Sequence, residues 1–109
     1  MIQDTLSKIE SRLAESGVKD ESKAELLTLL GTLKSEVAEL SKTHGDAAQS
    51  IAGFTQVSTH EATRETPNPE LIAHSLKGLS ASVEDFKTTH PQLVDIVNRI
   101  CTTLSNLGI

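Results

Sequence analysis

Apolar residues recur at alternating spacings of four and three along most of this chain, and that rhythm restricts its fold more than any other feature. The first series consists of Leu26, Leu30, Leu33, Val37, Leu40, His44, Ala47, Ile51 and Phe54. The second consists of Ile72, Leu76, Leu79, Val83, Phe86, His90, Leu93, Val97, Ile100, Leu104 and Leu107. This spacing places the series on one side of an α-helix, so the sequence predicts an all-α, coiled-coil-like fold.

A proline-rich segment separates the two series. Pro67 and Pro69 flank Asn68, which is typical of a turn, and Pro69 suits the first position of a helix. A shorter apolar stripe precedes them, with Ile2 and Leu13 at its ends. The sequence therefore predicts one helical domain spanning residues 1–109. Its predicted elements are a helix over about 2–15, a long helix over about 21–58, a turn over about 60–69, and helices over about 70–89 and 91–107.

Three positions leave the helix boundaries open. Gly45 could split the long helix, and Ser58 could open a short additional one. Pro91 removes a backbone donor and disfavours helical angles at His90. Because the apolar phase survives across Pro91, we expect two nearly collinear segments with a kink or a short break there. A full reversal of the chain at Pro91 is the alternative.

The two series can pair as an antiparallel hairpin about the proline turn. This register sets Leu30 against Leu104 and Ile51 against Val83. Near the open end the apolar faces are wide enough to require the first helix, which predicts a short N-terminal helix packed on the hairpin as a three-helix bundle. Toward the turn the seam narrows to a two-helix finger. We expect its residues to form an interface with a second copy or another protein: Ile51, Phe54, Leu76 and Leu79.

Composition excludes several classes of partner. The chain of 109 residues has a formal net charge of −5, and its ten Lys and Arg residues form no stripe, so we expect no nucleic-acid binding. Its apolar stretches are too short for a membrane span, and no signal-peptide core is visible at the N-terminus. With a single cysteine it can form no intrachain disulfide, and we expect a cytoplasmic protein.

No catalytic constellation is visible, so we expect neither an enzyme nor a cofactor. The only cysteine, Cys101, lies beside Ile100 on the apolar face of the last helix, where a buried structural thiol is the simplest interpretation. His44 and His90 interrupt the two apolar series, and the hairpin register sets them opposite each other. A polar layer is the simpler interpretation, and a metal site or a pH sensor is the alternative.

The closing stretch carries a family resemblance. Phe86, His90, Pro91 and Leu93 form an F-x-x-x-H-P-x-L segment, and the chain ends in Gly108-Ile109. With the opening stretch "LAESGVKDESKAELLTLL", this pattern resembles an uncharacterised family of small bacterial all-helical proteins, a domain of unknown function. The resemblance implies a bacterial helical protein and supplies no activity, cofactor or catalytic residue.

Two functions remain open from the sequence. The first is a non-catalytic assembly or adaptor protein that acts through helix–helix association, as a homodimer or with another protein. The second is a helical bundle that binds a small ligand or metal, or senses pH, through His44 and His90.

Overall fold

The computed structural model describes residues 2–107, so Met1 and the closing Gly108-Ile109 pair lie outside the described chain. The described residues form five α-helices and one 3₁₀ turn. They are α1 (Ile2–Ala14), α2 (Asp20–Leu40), α3 (Gly45–Thr63), α4 (Pro69–Ser82), the 3₁₀ turn Glu84–Phe86 and α5 (Pro91–Leu107). No strand occurs between residues 2 and 107, which confirms the all-α prediction.

The long helix predicted over about 21–58 is wrong, because α2 and α3 are separate helices that fold against each other. A continuous helix of that length would measure about 57 Å, whereas the longest dimension of the molecule is 37 Å. The chain leaves α2 after Leu40, turns through Ser41–His44, and starts α3 at Gly45. Ser58 does not break α3, since its hydroxyl donates to the carbonyl oxygen of Phe54 within the same helix, at 2.7 Å.

The chain also reverses before Pro91. The predicted helix over about 70–89 ends at Ser82, a 3₁₀ turn follows, and Pro91 becomes the first residue of α5. The Cys101 Sγ atom lies 3.9 Å from the carbonyl oxygen of Leu76. Two collinear helices would hold these groups tens of ångströms apart, at about 1.5 Å per residue. The predicted break at Pro91 is confirmed, and the nearly collinear arrangement is wrong.

Helices α2, α3, α4 and α5 form a closed four-helix ring, and α1 packs on α2 and α3. Around the ring each helix contacts its two neighbours, while α2 and α4 make no contact with each other within the described chain. The helix pairs expected from the sequence are in contact, α2 with α5 and α3 with α4. The predicted arrangement of a three-helix bundle continued by a two-helix finger is wrong. The turn after α2 and the turn before α5 fold the two helix pairs side by side around one shared core. None of the helices within residues 2–107 is long and apolar enough to cross a membrane.

The turn between α3 and α4 is built as the proline-rich segment predicts. Pro69 is the first residue of α4, and Asn68 is its N-cap. The Asn68 Oδ1 atom accepts hydrogen bonds from the backbone N–H groups of Glu70, at 2.9 Å, and Leu71, at 3.4 Å. The cap satisfies donors that have no partner inside the helix, and it fixes where α4 begins.

The buried face of α3 consists of small and hydroxyl-bearing residues together with one isoleucine. Its members are Ala48, Ile51, Ala52, Thr55, Ser58, Thr59 and Ala62. The Thr55 hydroxyl donates to the carbonyl oxygen of Ile51 at 2.7 Å, so its burial leaves no unpaired polar atom. Small side chains let α4 approach closely, and α3 and α4 share the most extensive packing in the bundle.

One close approach between α3 and α4 requires a glycine. The Phe54 ring lies directly over Gly78, and a β-carbon at residue 78 would overlap the ring, with Cδ1 only 2.6 Å away. Gly78 stands inside α4, where glycine costs about 1 kcal/mol relative to alanine. The Phe54 ring therefore occupies the space that a side chain at residue 78 would fill.

We expect the effect of Gly78→Ala on stability to depend on Phe54. In a Phe54→Ala background, Gly78→Ala should raise the free energy of unfolding by about 1 kcal/mol, because it gains helix propensity without a clash. With Phe54 present the gain should shrink or reverse, giving a coupling energy above about 0.5 kcal/mol in a double-mutant cycle measured by urea unfolding.

Gly31→Ala in α2 is the matched control. A β-carbon at Gly31 meets no atom within 4 Å, so this variant should gain stability equally with and without Phe54. Equal gains from Gly78→Ala in both backgrounds would show that the Phe54 ring does not need the space that Gly78 leaves.

Candidate functional site

The α2–α3 turn and the segment between α4 and α5 meet at one end of the bundle. The α2–α3 turn supplies Thr43 and His44, and the segment before α5 supplies Phe86, Thr89 and His90. Together with Gly45, Asp46, Ala47 and Asp85 they line an open cleft of about 710 Å³. We call this the histidine cleft.

Both histidines occupy the same position in their turns. The backbone N–H of His44 donates to the Leu40 carbonyl, and that of His90 donates to the Phe86 carbonyl, each at 2.8 Å. Each histidine carbonyl then accepts the first bond of the next helix, from Ala48 N at 3.0 Å and from Val94 N at 3.3 Å. Each histidine therefore ends one backbone turn and begins the following helix.

Three rings make up the centre of the cleft. The His44 and Phe86 ring centroids are 5.3 Å apart, those of Phe86 and His90 are 5.5 Å apart, and those of the two histidines are 6.3 Å apart. All three pairs are edge-to-face, at 82° to 87°, the geometry that aromatic rings favour. Phe86 is buried, His90 is half-buried and His44 is exposed. The histidines meet as the sequence predicts, but at the surface and not in a buried layer, because both belong to turns.

A threonine orients each imidazole. The Nδ1 atom of His44 lies 2.8 Å from Thr43 Oγ1, and that of His90 lies 3.0 Å from Thr89 Oγ1. A hydrogen bond at one ring nitrogen fixes the ring and leaves the other, Nε2, for a ligand. Two imidazoles supply half of a tetrahedral metal shell, and residues 2–107 contain no group of three or more side chains arranged to hold a metal ion.

A local repeat in the sequence could have revealed this cleft. The segment Glu39-Leu40-x-x-Thr43-His44 has the same pattern as Asp85-Phe86-x-x-Thr89-His90. Each is an acidic residue, a large apolar residue and, two positions further on, a Thr-His pair. The apolar residue of each unit anchors the turn in the core, since Leu40 and Phe86 are both buried. Two copies of one turn would have indicated two equivalent chain reversals.

The four predicted interface residues differ in their exposure to solvent. Ile51 and Leu79 are 0% exposed, so they belong to the core of the single chain and are not available to a partner. Leu76 is half-buried, and its backbone carbonyl lies near the Cys101 Sγ atom. Only Phe54 presents a large apolar surface, at 40% exposure. Sequence reasoning missed two others, Val57 at 48% and Leu71 at 43%, which fall outside the alternating four-three series.

The fold and the cleft define a class of protein: a helical bundle in which two of the chain reversals carry one histidine each. Its family follows from the sequence. A family model described as "Domain of unknown function (DUF4404)" matches residues 28–109, and the chain belongs to that family. The match begins inside α2, so α1 and most of the opening stretch precede it. No curated protein matches the chain, and no solved structure matches it.

Cys101 is a free thiol that is half-buried, whereas its place on the apolar face of the last helix predicted a buried one. Burial raises the pKa of the thiol from 9.0 to about 11, because the thiolate would lose its hydration. Since the thiolate is the nucleophile, the folded chain suppresses the reactivity of this cysteine near neutral pH.

We expect native Cys101 to react with iodoacetamide about a hundredfold more slowly at pH 8 than the same thiol in the unfolded chain, because two pKa units separate their thiolate populations. The native rate should keep rising until the pH approaches 11. Mass spectrometry of the alkylated protein, with and without guanidinium, measures both rates. A native rate within a few-fold of the denatured rate would contradict the burial of the thiol.

Proposed function

We propose that this chain is a non-catalytic helical protein that acts by helix–helix association through the outer face of α3 and α4. One observation carries the proposal: the exposed large apolar side chains found within residues 2–107 are Phe54, Val57 and Leu71, and all of them belong to this helix pair. Scattered single apolar residues are ordinary on a protein surface, whereas a group on one face marks an interaction site.

The geometry of the pair brings these residues to the same side. Phe54 covers Gly78, and Leu71 lies seven residues before Gly78, which is two turns along the same face of α4. Val57 lies one turn beyond Phe54 in α3. Because α3 and α4 run antiparallel, this is the same direction in which Leu71 lies from Gly78. We call the surface formed by Phe54, Val57 and Leu71 the outer face.

The partner we favour is a second copy of this chain. Glu70 and Lys77 are also seven residues apart, so they share one flank of α4 beside the outer face. A two-fold antiparallel arrangement of two outer faces would bring Glu70 of each copy near Lys77 of its partner. Closed two-fold dimers are the commonest homo-oligomers, and opposite charges at the rim favour this register.

The outer face takes the place of the interface predicted from the sequence. Phe54 is common to both, while Val57 and Leu71 replace Ile51, Leu76 and Leu79. Within this proposal the protein is bacterial, as its sequence resemblance implies, and works in the cytoplasm. The free thiol of Cys101 is compatible with that reducing compartment.

We expect Val57→Asp and Leu71→Asp to dissociate the dimer. Each change places a charge at the centre of the proposed contact, which should raise the dissociation constant by about a hundredfold or more. Sedimentation velocity at micromolar concentration measures the mass, and circular dichroism checks that the helices remain.

Ser35→Asp is the matched control, because Ser35 is exposed on α2, which makes no contact with α4 in the described chain. It should keep the dimer mass. If the unmodified chain sediments as a monomer throughout the micromolar range, the homodimer is rejected.

A second candidate function rests on the histidine cleft. We infer that the Nε2 atoms of His44 and His90 bind a small ligand or a transition-metal ion. The supporting observation is that both threonines hold the Nδ1 atoms, at 2.8 and 3.0 Å, and so orient the two rings in one cleft. A metal bound there keeps positions for water or a ligand carboxylate, since two imidazoles do not complete its shell.

We expect zinc to bind with one ion per chain and to be lost in His44→Ala. Calorimetric titration with zinc chloride should show at least a tenfold weaker affinity in that variant, because one of two ligands is missing. His74→Ala is the control, since His74 is exposed on α4 outside the cleft. Equal affinity in His44→Ala and the unmodified chain would remove the cleft as a metal site.

A further inference from the structure

Two clefts lie between α1 and α3, and α1 makes no contact with α4 in the described residues. Ile2 and Thr5 of α1 face Gln49, Ala52 and Gly53 of α3 across a cleft of about 210 Å³. A second cleft of about 140 Å³ follows, and Gln56 lines both of them. Gln56 borders both clefts, and we call the two together the groove.

The second cleft is basic, although the protein as a whole is acidic. Lys8 and Arg12 line it from α1, and His60 lines it from α3, together with Ile9, Gln56 and Thr59. No carboxylate is among its lining residues. Three basic side chains therefore converge in a chain whose formal net charge is −5. We call this the basic cleft.

Lys8 and Arg12 differ from the basic residues that neutralise carboxylates elsewhere. Elsewhere in the described chain, lysine and arginine ion pairs join Lys34 to Glu10, Lys42 to Glu39, Arg64 to Glu61, Lys87 to Glu84 and Arg99 to Asp95, among others. Within residues 2–107 neither Lys8 nor Arg12 forms such a pair. They stand four residues apart on one helix face, where like charges repel, and an anion between them would relieve that repulsion.

His60 contributes an uncommitted nitrogen beside them. Its Nδ1 atom is buried and has no hydrogen-bond partner, which is uncommon for a buried polar atom. Its Nε2 atom lies 4.0 Å from Glu61 Oε2, beyond hydrogen-bonding distance, and the Glu61 carboxylate is already held by Arg64 at 2.8 Å. The His60 side chain already lines the basic cleft, and a rotation of its ring that brought Nδ1 to a ligand there would break no hydrogen bond at that atom.

We propose that the basic cleft binds a phosphoryl group. Arg12 offers the planar, multiple N–H donors that suit phosphate oxygens, Lys8 offers an ammonium group, and His60 offers a third donor from the opposite helix. The remainder of the ligand lies along the uncharged part of the groove, where Gln49 and Gln56 provide amides. Gly53 leaves room there, since a β-carbon at that position would meet nothing within 4 Å.

The ligand links α1 to the rest of the bundle. Lys8 and Arg12 belong to α1, which precedes the segment matched by the family model, whereas His60 belongs to α3 within that segment. A phosphoryl group held from both sides stabilises the packing of α1 on α3, because a ligand that binds only the folded state raises its stability. This site is independent of the outer face and of the histidine cleft.

The test is a titration of the full chain with inorganic phosphate at constant ionic strength. We expect saturable shifts of the His60 imidazole resonances in nuclear magnetic resonance spectra, larger than those of His44, His74 and His90, and a rise in melting temperature. Arg12→Gln should weaken the affinity by about tenfold or more, since it removes a charge-assisted contact. His60→Gln should weaken binding and leave the helical content unchanged.

Arg99→Gln is the matched control, because it removes the same charge from α5, which makes no contact with α1 in the described residues. It should keep the phosphate affinity. Glycerol 3-phosphate and vesicles containing phosphatidic acid then separate the two sources of the group. Binding of the soluble ester identifies a soluble phosphorylated ligand, and binding of vesicles alone identifies a lipid headgroup. Equal shifts of all four histidines, or an unchanged affinity in Arg12→Gln, would overturn the proposal.

Discussion

The four-residue turn from Ser41 to His44 decides how this chain buries its apolar surface. Leu40 anchors the end of α2 in the core, and the His44 N–H bonds back to the Leu40 carbonyl at 2.8 Å. The chain thereby reverses, and α3 returns along α2 and α1. Without that reversal α2 and α3 would expose one side of a long rod. With it, the antiparallel pairs share a single core, and the rest of the bundle follows.

Much of this architecture can be predicted from the sequence, and the exceptions have physical causes. The helical spacing, the placing of Pro69 at the start of a helix and the pairing of α2 with α5 are local or pairwise signals, so they survive in the fold. The long helix was mispredicted because Ala47 and Phe54 continue the apolar phase of α2. The face that α3 buries is made of alanine, threonine and serine, along with Ile51. The spacing of apolar residues does not identify such a face as buried. It can be buried nonetheless, because hydroxyl groups on it donate hydrogen bonds to backbone carbonyls of the same helix.

The candidate sites divide in the same way. The antiparallel register predicts that His44 and His90 lie close together. The two turns keep them close, but in a surface cleft and not in a buried layer. The basic cleft depends on α1 and α3 lying side by side. Lys8 and His60 are far apart in the sequence, and no periodicity connects them. The outer face depends on which side of α4 the Phe54 ring occupies, and that follows from the space above Gly78.

The buried hydroxyls of α3 and α4 have a consequence for motion. Thr55 and Ser58 donate to carbonyls of their own helix, and Ser75 of α4 donates to the Ile72 carbonyl at 3.0 Å. These polar groups therefore carry their partners with them when one helix is displaced along the other. Sliding α3 past α4 breaks none of these hydrogen bonds, which is the condition for a shear movement of packed helices. The Phe54 ring, which packs directly on Gly78, then opposes this sliding and holds the two helices at one position along their common axis.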